Sequence, residues 1–223
     1  MHNFRGYDHH LVIKGLNKFG KKISVIPTNT EKYMSVTVDN LRFVDSLQFL
    51  NCSLSELVNN LKKKQGREFQ LLETVFGKKK AEMLTRKGVF PYDYISSWRK
   101  FEETRIPKRS KFFNTLTKKH ISVEDHQYAK FIFRKFKLNT LGEYHDLYLL
   151  TDTILLACVF EEFRLMCLKN FGLDPVHYFS LPGLAWDAAL KMSNVQLELI
   201  TDIDIYLFIE HGMRGKFNVK RLL

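Results

Sequence analysis

The sequence predicts a helix-rich α/β protein, and three observations support this fold class. Residues 141–168 form a long apolar stretch without proline, as expected of a buried helix. Residues 22–26, 33–38 and 41–44 are short apolar stretches with β-branched residues, as expected of strands. With 223 residues and 45% hydrophobic content, the chain is long enough to bury a core in one or two domains. We therefore expect a small sheet packed on the helix of residues 141–168.

The first elements of the chain have clear local signals. Asp8 precedes an apolar-periodic stretch over residues 9–17, and its carboxylate is well placed to cap a helix there. Asp39 and Asn40 stand between two of the short apolar stretches, which is typical of a two-residue hairpin turn. The strands of residues 33–44 are therefore expected to be antiparallel neighbours.

The middle of the chain is harder to interpret. Ser46 and Ser53 each open a short helical stretch, and each can act as an N-cap. Residues 62–119 are basic and irregular, with several glycines and prolines, and predict an insertion without long elements. The aromatic cluster of residues 90–98 can either stack on exposed bases or form a small satellite core, and we favour the core.

The last part of the chain is predominantly helical. Ser122 begins a helix with a capping signal that continues to about residue 137, just before the long helix. Two shorter helices are expected over residues 183–192 and 202–210. We assign residues 1–171 to a first domain and residues 172–223 to a helical connector.

Charge and cysteine content limit the function classes. The net charge of +11 and the pI near 9.5 favour a polyanionic partner, nucleic acid before membrane, although solvated lysine surfaces are the simpler alternative. The basic residues are scattered instead of lying on one amphipathic helix, which argues against a membrane-surface helix. Three cysteines without ligand spacing predict reduced thiols of an intracellular protein.

Asp152 is the unexpected residue of the long helix. It lies within an apolar run, with Tyr148 four residues before it and Tyr144 four residues before that, so the three share one helix face. A buried carboxylate is unfavourable by several kcal/mol unless it is paired. We therefore expect a cation, a metal ion or hydrogen-bond donors opposite Asp152, in either a functional site or a simple salt bridge.

Several blocks of the sequence resemble one family. NFRGYD at residues 3–8, FVDSLQFL at residues 43–50 and YLLTD at residues 148–152 resemble, in type and order, protein-primed family B DNA polymerases. The stretches LTRKGVFPYDY and LGEYHDLYLLTD look like the polymerases of Maverick or Polinton transposons, with viral and linear-plasmid enzymes as further relatives. The resemblance implies an incomplete RNase H-like 3′–5′ exonuclease domain, followed by a helical connector towards a palm that is not in this chain.

By this resemblance, the exonuclease motifs supply three catalytic candidates. Asp8 and Asp152 would help to hold two divalent metal ions, Mg²⁺ or Mn²⁺, and Tyr148 would orient the attacking water. Hydrolysis of a phosphodiester by two metals needs hard carboxylate ligands of this kind. The resemblance also implies that two bound metal ions are present only in the complete enzyme.

The same resemblance implies contacts with DNA. Asn3 and Tyr7 belong to the second exonuclease motif, where Asn3 would steady the primer end. Ser46 and Leu47 match a Ser/Thr-Leu motif that is implicated in contacts with single-stranded DNA and with a terminal priming protein.

The sequence departs from the family pattern in two ways. No Asp-x-Glu occurs anywhere in the chain, and the carboxylates of the palm are missing. Arg214, Gly215 and Lys216 stand where the family has an aromatic-x-Gly-Gly loop that grips template phosphate, so only part of that motif is kept.

Three hypotheses follow. The first is a piece of a DNA-directed DNA polymerase for DNA replication, intracellular, in the nucleus or the mitochondrion of a host cell. The second is a catalytically inactive, basic remnant of such an element that binds single-stranded DNA. The third is an unrelated helical protein whose basic surface only keeps it soluble. The missing Asp-x-Glu predicts that the chain alone is inactive, whereas the order of the motif blocks favours descent from a polymerase.

Overall fold

The computed structural model describes residues 1–6, 8–16, 18, 20, 22–29, 32–64 and 68–212. Within these residues the fold is helix-rich with a small sheet, which confirms the predicted balance of helix and strand. The strands are β1 (Ile23–Pro27), β2 (Tyr33–Val38) and β3 (Leu41–Val44). The α-helices are α1 (Asp8–Leu16), α2 (Leu54–Lys62), α3 (Gln70–Phe76), α4 (Lys78–Met83), α5 (Val123–Lys135), α6 (Leu141–Phe171), α7 (Leu181–Ser193) and α8 (Ile203–Gly212).

The three described strands form an antiparallel sheet in the order β1-β2-β3. The predicted hairpin is confirmed: Val38 pairs with Leu41 across a two-residue turn, and Asp39 takes a positive φ of 50°, as such turns require. One face of the sheet contributes Val36 and Val38 to a small core that also contains Phe4. Side chains of α1 complete this core, so the sheet packs on α1.

The second, larger core surrounds α6. Thr140 caps the helix by accepting a hydrogen bond from the Glu143 amide at 3.2 Å, and Gly172 ends it in the left-handed conformation. α6 packs against α2, α3 and the short 3-10 helix Trp98–Glu102. We expected the sheet to pack directly on this helix, but the buried residues of the sheet pack on α1 instead.

Residues 62–119 contain more structure than we expected. The short helices α3 and α4 lie in this segment, separated by Gly77 with a φ of +75°. Leu72 and Ala81 from these helices are fully buried in the larger core. Their contribution explains why a lysine-rich segment folds onto α6 instead of looping away from it.

Caps agree with the sequence at some positions and differ at others. Ser53 and Ser122 accept hydrogen bonds from the Glu56 and Asp125 amides at 3.2 and 3.0 Å, as predicted. The turn at residues 46–48 is a 3-10 helix capped by Asp45, so Ser46 is not the cap. Asp8 is the first residue of α1.

The chain divides into two compact units, Met1–Leu184 and Ala185–Leu223. In the second unit, α8 exposes large apolar side chains, including Phe208 at 80%. Among the described residues, no helix is both long enough and apolar enough to cross a membrane.

Candidate functional site

Asp152 is a half-buried residue of α6. Its side chain is only 16% exposed, and its Oδ2 atom is 3.7 Å from the Nζ atom of Lys87. The second oxygen, Oδ1, is buried and accepts no hydrogen bond from the described residues. The partner that the sequence required is therefore a lysine, and it satisfies only one side of the carboxylate.

The surroundings of Asp152 disfavour its negative charge. Burial raises the pKa of this carboxyl above its usual range, and the nearby charge of Lys87 and the hydroxyl of Tyr148 oppose that shift without cancelling it. A carboxylate in this state gains free energy from any further cation or hydrogen-bond donor that reaches its free oxygen. Oδ1 of Asp152 is thus a buried acceptor without a hydrogen-bond donor among the described residues.

Tyr148 stands one helical turn before Asp152. Its hydroxyl accepts a hydrogen bond from the Tyr92 hydroxyl at 2.8 Å, and its ring stacks on Phe90 with centroids 5.6 Å apart. Burial raises the pKa of Tyr148, and the charge of Asp152 raises it further. The phenol therefore keeps its proton at neutral pH and can donate it in a hydrogen bond.

The segment that carries Lys87 is held close to Tyr148. A Cβ atom on Gly88 would lie 3.1 Å from the Tyr148 ring, so a larger residue after Lys87 would require the ring to shift by a few tenths of an ångström. The Tyr144 hydroxyl, on the preceding turn of α6, donates to the Val89 carbonyl at 2.7 Å and holds the same segment. Of the two tyrosines on the predicted polar face, Tyr144 serves packing and Tyr148 faces Asp152.

The two interpretations of the aromatic cluster can be tested at Phe90 and Trp98, which stand at its two ends and differ in burial. Phe90 is 9% exposed and belongs to the larger core, as we favoured. Trp98 is 86% exposed, and its ring lies near that of Phe101, with centroids 5.7 Å apart and an interplanar angle of 35°. The core interpretation therefore holds for the start of the cluster and fails at its end.

Asp45 joins two of the motifs that the sequence singled out. One of its oxygens accepts from the amides of Asn3 at 2.8 Å and Leu47 at 3.0 Å, and the other accepts from the Arg5 amide at 3.0 Å. Ser46 is buried, and its hydroxyl donates to the Met1 carbonyl at 2.7 Å. The predicted DNA-binding residues Asn3, Ser46 and Leu47 therefore lie together, although their contact with DNA stays a prediction.

A cleft of about 600 Å³ connects this region with α6. Ser46 lines one wall, and Thr153, the residue after Asp152, lines the other. The Thr153 hydroxyl donates to the Leu149 carbonyl at 2.8 Å, as threonine commonly does within a helix. The cleft is therefore lined by the Ser-Leu block and by the residue that follows the third motif block, whereas Tyr148 and Asp152 are not among its lining residues.

The described residues do not complete a metal site. Asp8 is exposed at the start of α1, and Asp152 has one free oxygen. No group of three or more His, Cys, Asp or Glu side chains that could hold a metal occurs among the residues that the structure describes. Lys87 already places a positive charge beside Asp152.

Four of the predicted site residues, Tyr7, Arg214, Gly215 and Lys216, lie outside the described residues. Conversely, two residues that the structure shows beside the predicted site residues, Lys87 and Asp45, were not predicted from the sequence. Lys87 follows Arg86 in a segment with many basic residues. The sequence therefore predicted that a cation could lie opposite Asp152, but it did not identify Lys87. Asp45 directly precedes the Ser-Leu motif, but nothing in the sequence indicated that its side chain is buried.

Comparisons of this chain with models of protein families, with curated proteins and with solved structures returned no match.

Proposed function

We propose that this chain is part of a DNA-directed DNA polymerase of the protein-primed family B type and carries a portion of its 3′–5′ exonuclease site. The proposal rests on the order of the motif blocks and on one observation, the half-paired carboxylate of Asp152 beside Tyr148 and Lys87. Oδ1 of Asp152 has no hydrogen-bond partner among the described residues, and a ligand that supplies one would explain this exception to the usual pairing of buried polar atoms.

The residue types around Asp152 suit a phosphodiester. Lys87 offers a positive charge and Tyr148 a hydrogen bond to phosphate oxygens, while Asp152 holds or accepts a proton, or binds a cation. Ser46, which belongs to the motif implicated in single-stranded DNA contacts, lines a cleft together with Thr153, the residue after Asp152. The net charge of +11 supplies long-range attraction for such a strand.

The proposed activity belongs to a larger assembly than these residues. In the complete polymerase, an Asp-x-Glu segment would complete the ligands for two ions, Mg²⁺ or Mn²⁺, and the palm carboxylates would bind the incoming nucleotide. Template DNA and a terminal priming protein would be the partners. On this proposal, the chain alone neither extends nor degrades a primer.

Binding of a labelled single-stranded oligonucleotide, followed by fluorescence anisotropy at increasing salt, tests the DNA part. Affinity should fall steeply with salt, because each neutralised phosphate releases bound counterions. Lys87→Met should weaken binding and reduce the salt dependence, whereas Lys169→Met, at the far end of α6, should change both less. Affinity that is independent of salt would contradict the proposal.

A second test addresses catalysis. Joined to an upstream segment that carries Asp-x-Glu, the chain should degrade a labelled primer in the presence of Mg²⁺ or Mn²⁺. Asp152→Ala and Asp8→Ala should abolish that degradation, and Asp39→Ala at the exposed hairpin turn should not. An inert joined protein that still binds metal would refute the assigned roles of Asp8 and Asp152.

A second candidate function is a catalytically inactive module that binds single-stranded DNA. The position of Lys87 favours it, since a lysine 3.7 Å from Asp152 supplies internally the positive charge that a metal would bring. On this alternative, oligonucleotide binding is the whole activity, and Asp152→Asn leaves it intact or strengthens it by removing a negative charge.

A further inference from the structure

Trp98 is the most exposed Phe, Tyr or Trp side chain in the part of the chain that the structure describes, at 86%. It begins the 3-10 helix Trp98–Glu102, and its ring centroid lies 5.7 Å from that of Phe101. These two rings and residues 95–97 line a hollow of about 310 Å³. A tryptophan ring beside an open hollow offers an apolar face on which another planar ring can stack.

A second hollow adjoins the first, since Ser96 lines both. It measures about 290 Å³, and its lining is more polar, with the hydroxyl-bearing Ser96 and Ser110 and the two lysines Lys100 and Lys111. Hydroxyl and ammonium groups are donors that bind the oxygens of a phosphate. The two hollows therefore offer different chemistry side by side.

The charges of the second hollow are not all engaged within the protein. Lys100 is partly neutralised, because it donates to a Glu103 oxygen at 2.7 Å. Asp93 also lines this hollow, and its Oδ2 atom accepts from the Thr115 amide at 2.8 Å. Lys111 is exposed and forms no ion pair with any described residue. Its ammonium group is therefore available to an anion from outside.

The surrounding segment carries much of the charge of the chain. Residues 96–120 contain eight Lys and Arg residues and only two Glu residues, so they supply +6 of the net charge of +11. All of these basic residues except Lys100 are exposed. Such a concentration of one charge attracts a polyanion, and an exposed aromatic ring within it suits a polyanion that carries planar bases.

We infer that the two hollows bind neighbouring parts of a single DNA strand, with a base stacked on Trp98 and the adjoining phosphate held by Lys111 and the hydroxyls of Ser96 and Ser110. This surface is separate from Asp152, and the choice of DNA as the ligand rests on the proposed function. A duplex fits less well, because its bases already stack on each other and leave no face along the helix for Trp98.

A series of ring contacts connects this surface with the candidate site. It leads from Trp98 through Phe101, His145 and Phe90 to Tyr148, and successive ring centroids lie 5.2 to 5.7 Å apart. At about 3.4 Å per nucleotide, a strand of twelve nucleotides spans about 40 Å. One strand is therefore long enough to contact both Trp98 and the surroundings of Asp152.

The test uses the whole chain and its two tryptophans as reporters. Trp186 on α7 is 60% exposed and serves as the matched control. In the Trp186→Phe protein, an oligothymidylate of about 12 nucleotides should quench the fluorescence of Trp98, because a stacked base quenches an indole ring. In the Trp98→Phe protein, the same oligonucleotide should leave the fluorescence of Trp186 unchanged.

An abasic oligonucleotide of the same length keeps the phosphates but has no base to stack. It should not quench Trp98, and it should bind the unaltered chain about tenfold more weakly than the oligothymidylate. This control leaves the protein unchanged, so it remains informative if a variant fails to fold.

Substitutions separate the base contact from the phosphate contact. Trp98→Ala should weaken binding of the oligothymidylate by about tenfold, and Trp186→Ala should leave the affinity unchanged. Lys111→Met should reduce the slope of log affinity against log salt by about 0.7, the value for one phosphate contact with a single strand. Lys169→Met, which removes another exposed lysine, should change that slope less.

Three outcomes would overturn the inference: quenching of Trp186 in place of Trp98, equal quenching by the abasic oligonucleotide, and an affinity that Trp98→Ala leaves unchanged. Binding that Lys87→Met weakens and Trp98→Ala does not would refute this surface and leave the proposed function intact. The reverse result would retain this surface and remove the support for DNA at Asp152. The absence of any binding would contradict both.

Discussion

Asp45 and Asp152 are aspartates of the unit Met1–Leu184 whose carboxylates have opposite surroundings, Asp45 being buried and Asp152 half-buried. Asp45 is 1% exposed and accepts three backbone hydrogen bonds, which join the start of the chain to the turn after β3. Asp152 is more exposed, has a single lysine at 3.7 Å and keeps one oxygen without a hydrogen bond from the described residues. The two carboxylates therefore differ both in burial and in the number of oxygens that accept hydrogen bonds from the described residues.

Removal of Asp45 should have the largest effect. Asp45→Ala leaves the amides of Asn3, Arg5 and Leu47 without their acceptor, and it should lower the free energy of unfolding by roughly 3 kcal/mol. Urea unfolding followed by circular dichroism measures this loss. Asp39→Asn, at the exposed hairpin turn where asparagine tolerates positive φ, should stay within about 0.5 kcal/mol of the parent. Equal effects of the two substitutions would remove the structural role of Asp45.

Asp152→Asn should act in the opposite direction. It removes a charge that the fold disfavours, so it should raise the free energy of unfolding at neutral pH by roughly 1 kcal/mol. The raised pKa of Asp152 means that the folded chain holds this proton more tightly than the unfolded chain, for which the ordinary value is 3.8. The gain should therefore be largest above the folded pKa and should shrink as the pH falls towards 3.8. Urea unfolding between pH 7 and pH 4 checks the sign, and a loss of stability at pH 7 would place Asp152 in the same class as Asp45.

Lys87→Met tests the surroundings of Asp152 by removing its ion-pair partner. Without the lysine, the pKa of Asp152 should rise further, because Lys87 opposes the effect of burial. Since Lys87 is 37% exposed, the loss of stability should be only about 0.5 kcal/mol. Carboxyl carbon chemical shifts, recorded against pH, report the titration of Asp152. In the Asp152→Asn background the same substitution should change stability very little, and an unchanged effect there would show that Lys87 acts elsewhere.

Tyr92→Phe should have the smallest effect. Tyr92 is 60% exposed, so water can replace its hydrogen bond to Tyr148, and the loss should stay within about 0.5 kcal/mol. Tyr206→Phe in α8, also an exposed tyrosine, is the control for the loss of a hydroxyl. A loss several times larger for Tyr92→Phe would mean that Tyr148 and Asp152 depend on that bond for their positions.

The sequence predicted local structure well where one residue decides it. The Asp39-Asn40 turn and the caps at Ser53 and Ser122 follow from short-range hydrogen bonds. The long helix was also predicted, although it continues to Phe171, since Gly172 and not the last apolar residue ends it. These features depend on residues that are close together in the sequence, so they can be predicted from the sequence alone.

The candidate site could be predicted only in part. Asp152 was recognisable because a charge within an apolar helix is unexpected, and its need for a partner followed from electrostatics. Lys87 could not be identified, because many lysines are available and only the fold selects the one beside Asp152. Asp45 was missed for the same reason: its three donors come from two separate segments. Long-range pairing is a property of the packed chain and leaves no local periodicity.

The central position of α6 has a consequence for the synthesis of the chain. Val58 and Leu72 belong to the larger core, but that core is built on α6 residues such as Leu155, which are translated much later. At about 5–20 residues per second, the early core residues wait roughly 5 to 20 seconds for their partner. Nascent chains stalled before residue 141 should therefore be protease-sensitive and bind chaperones, and chains released after Phe171 should be protected. Equal protection at both lengths would mean that the early segments fold by themselves.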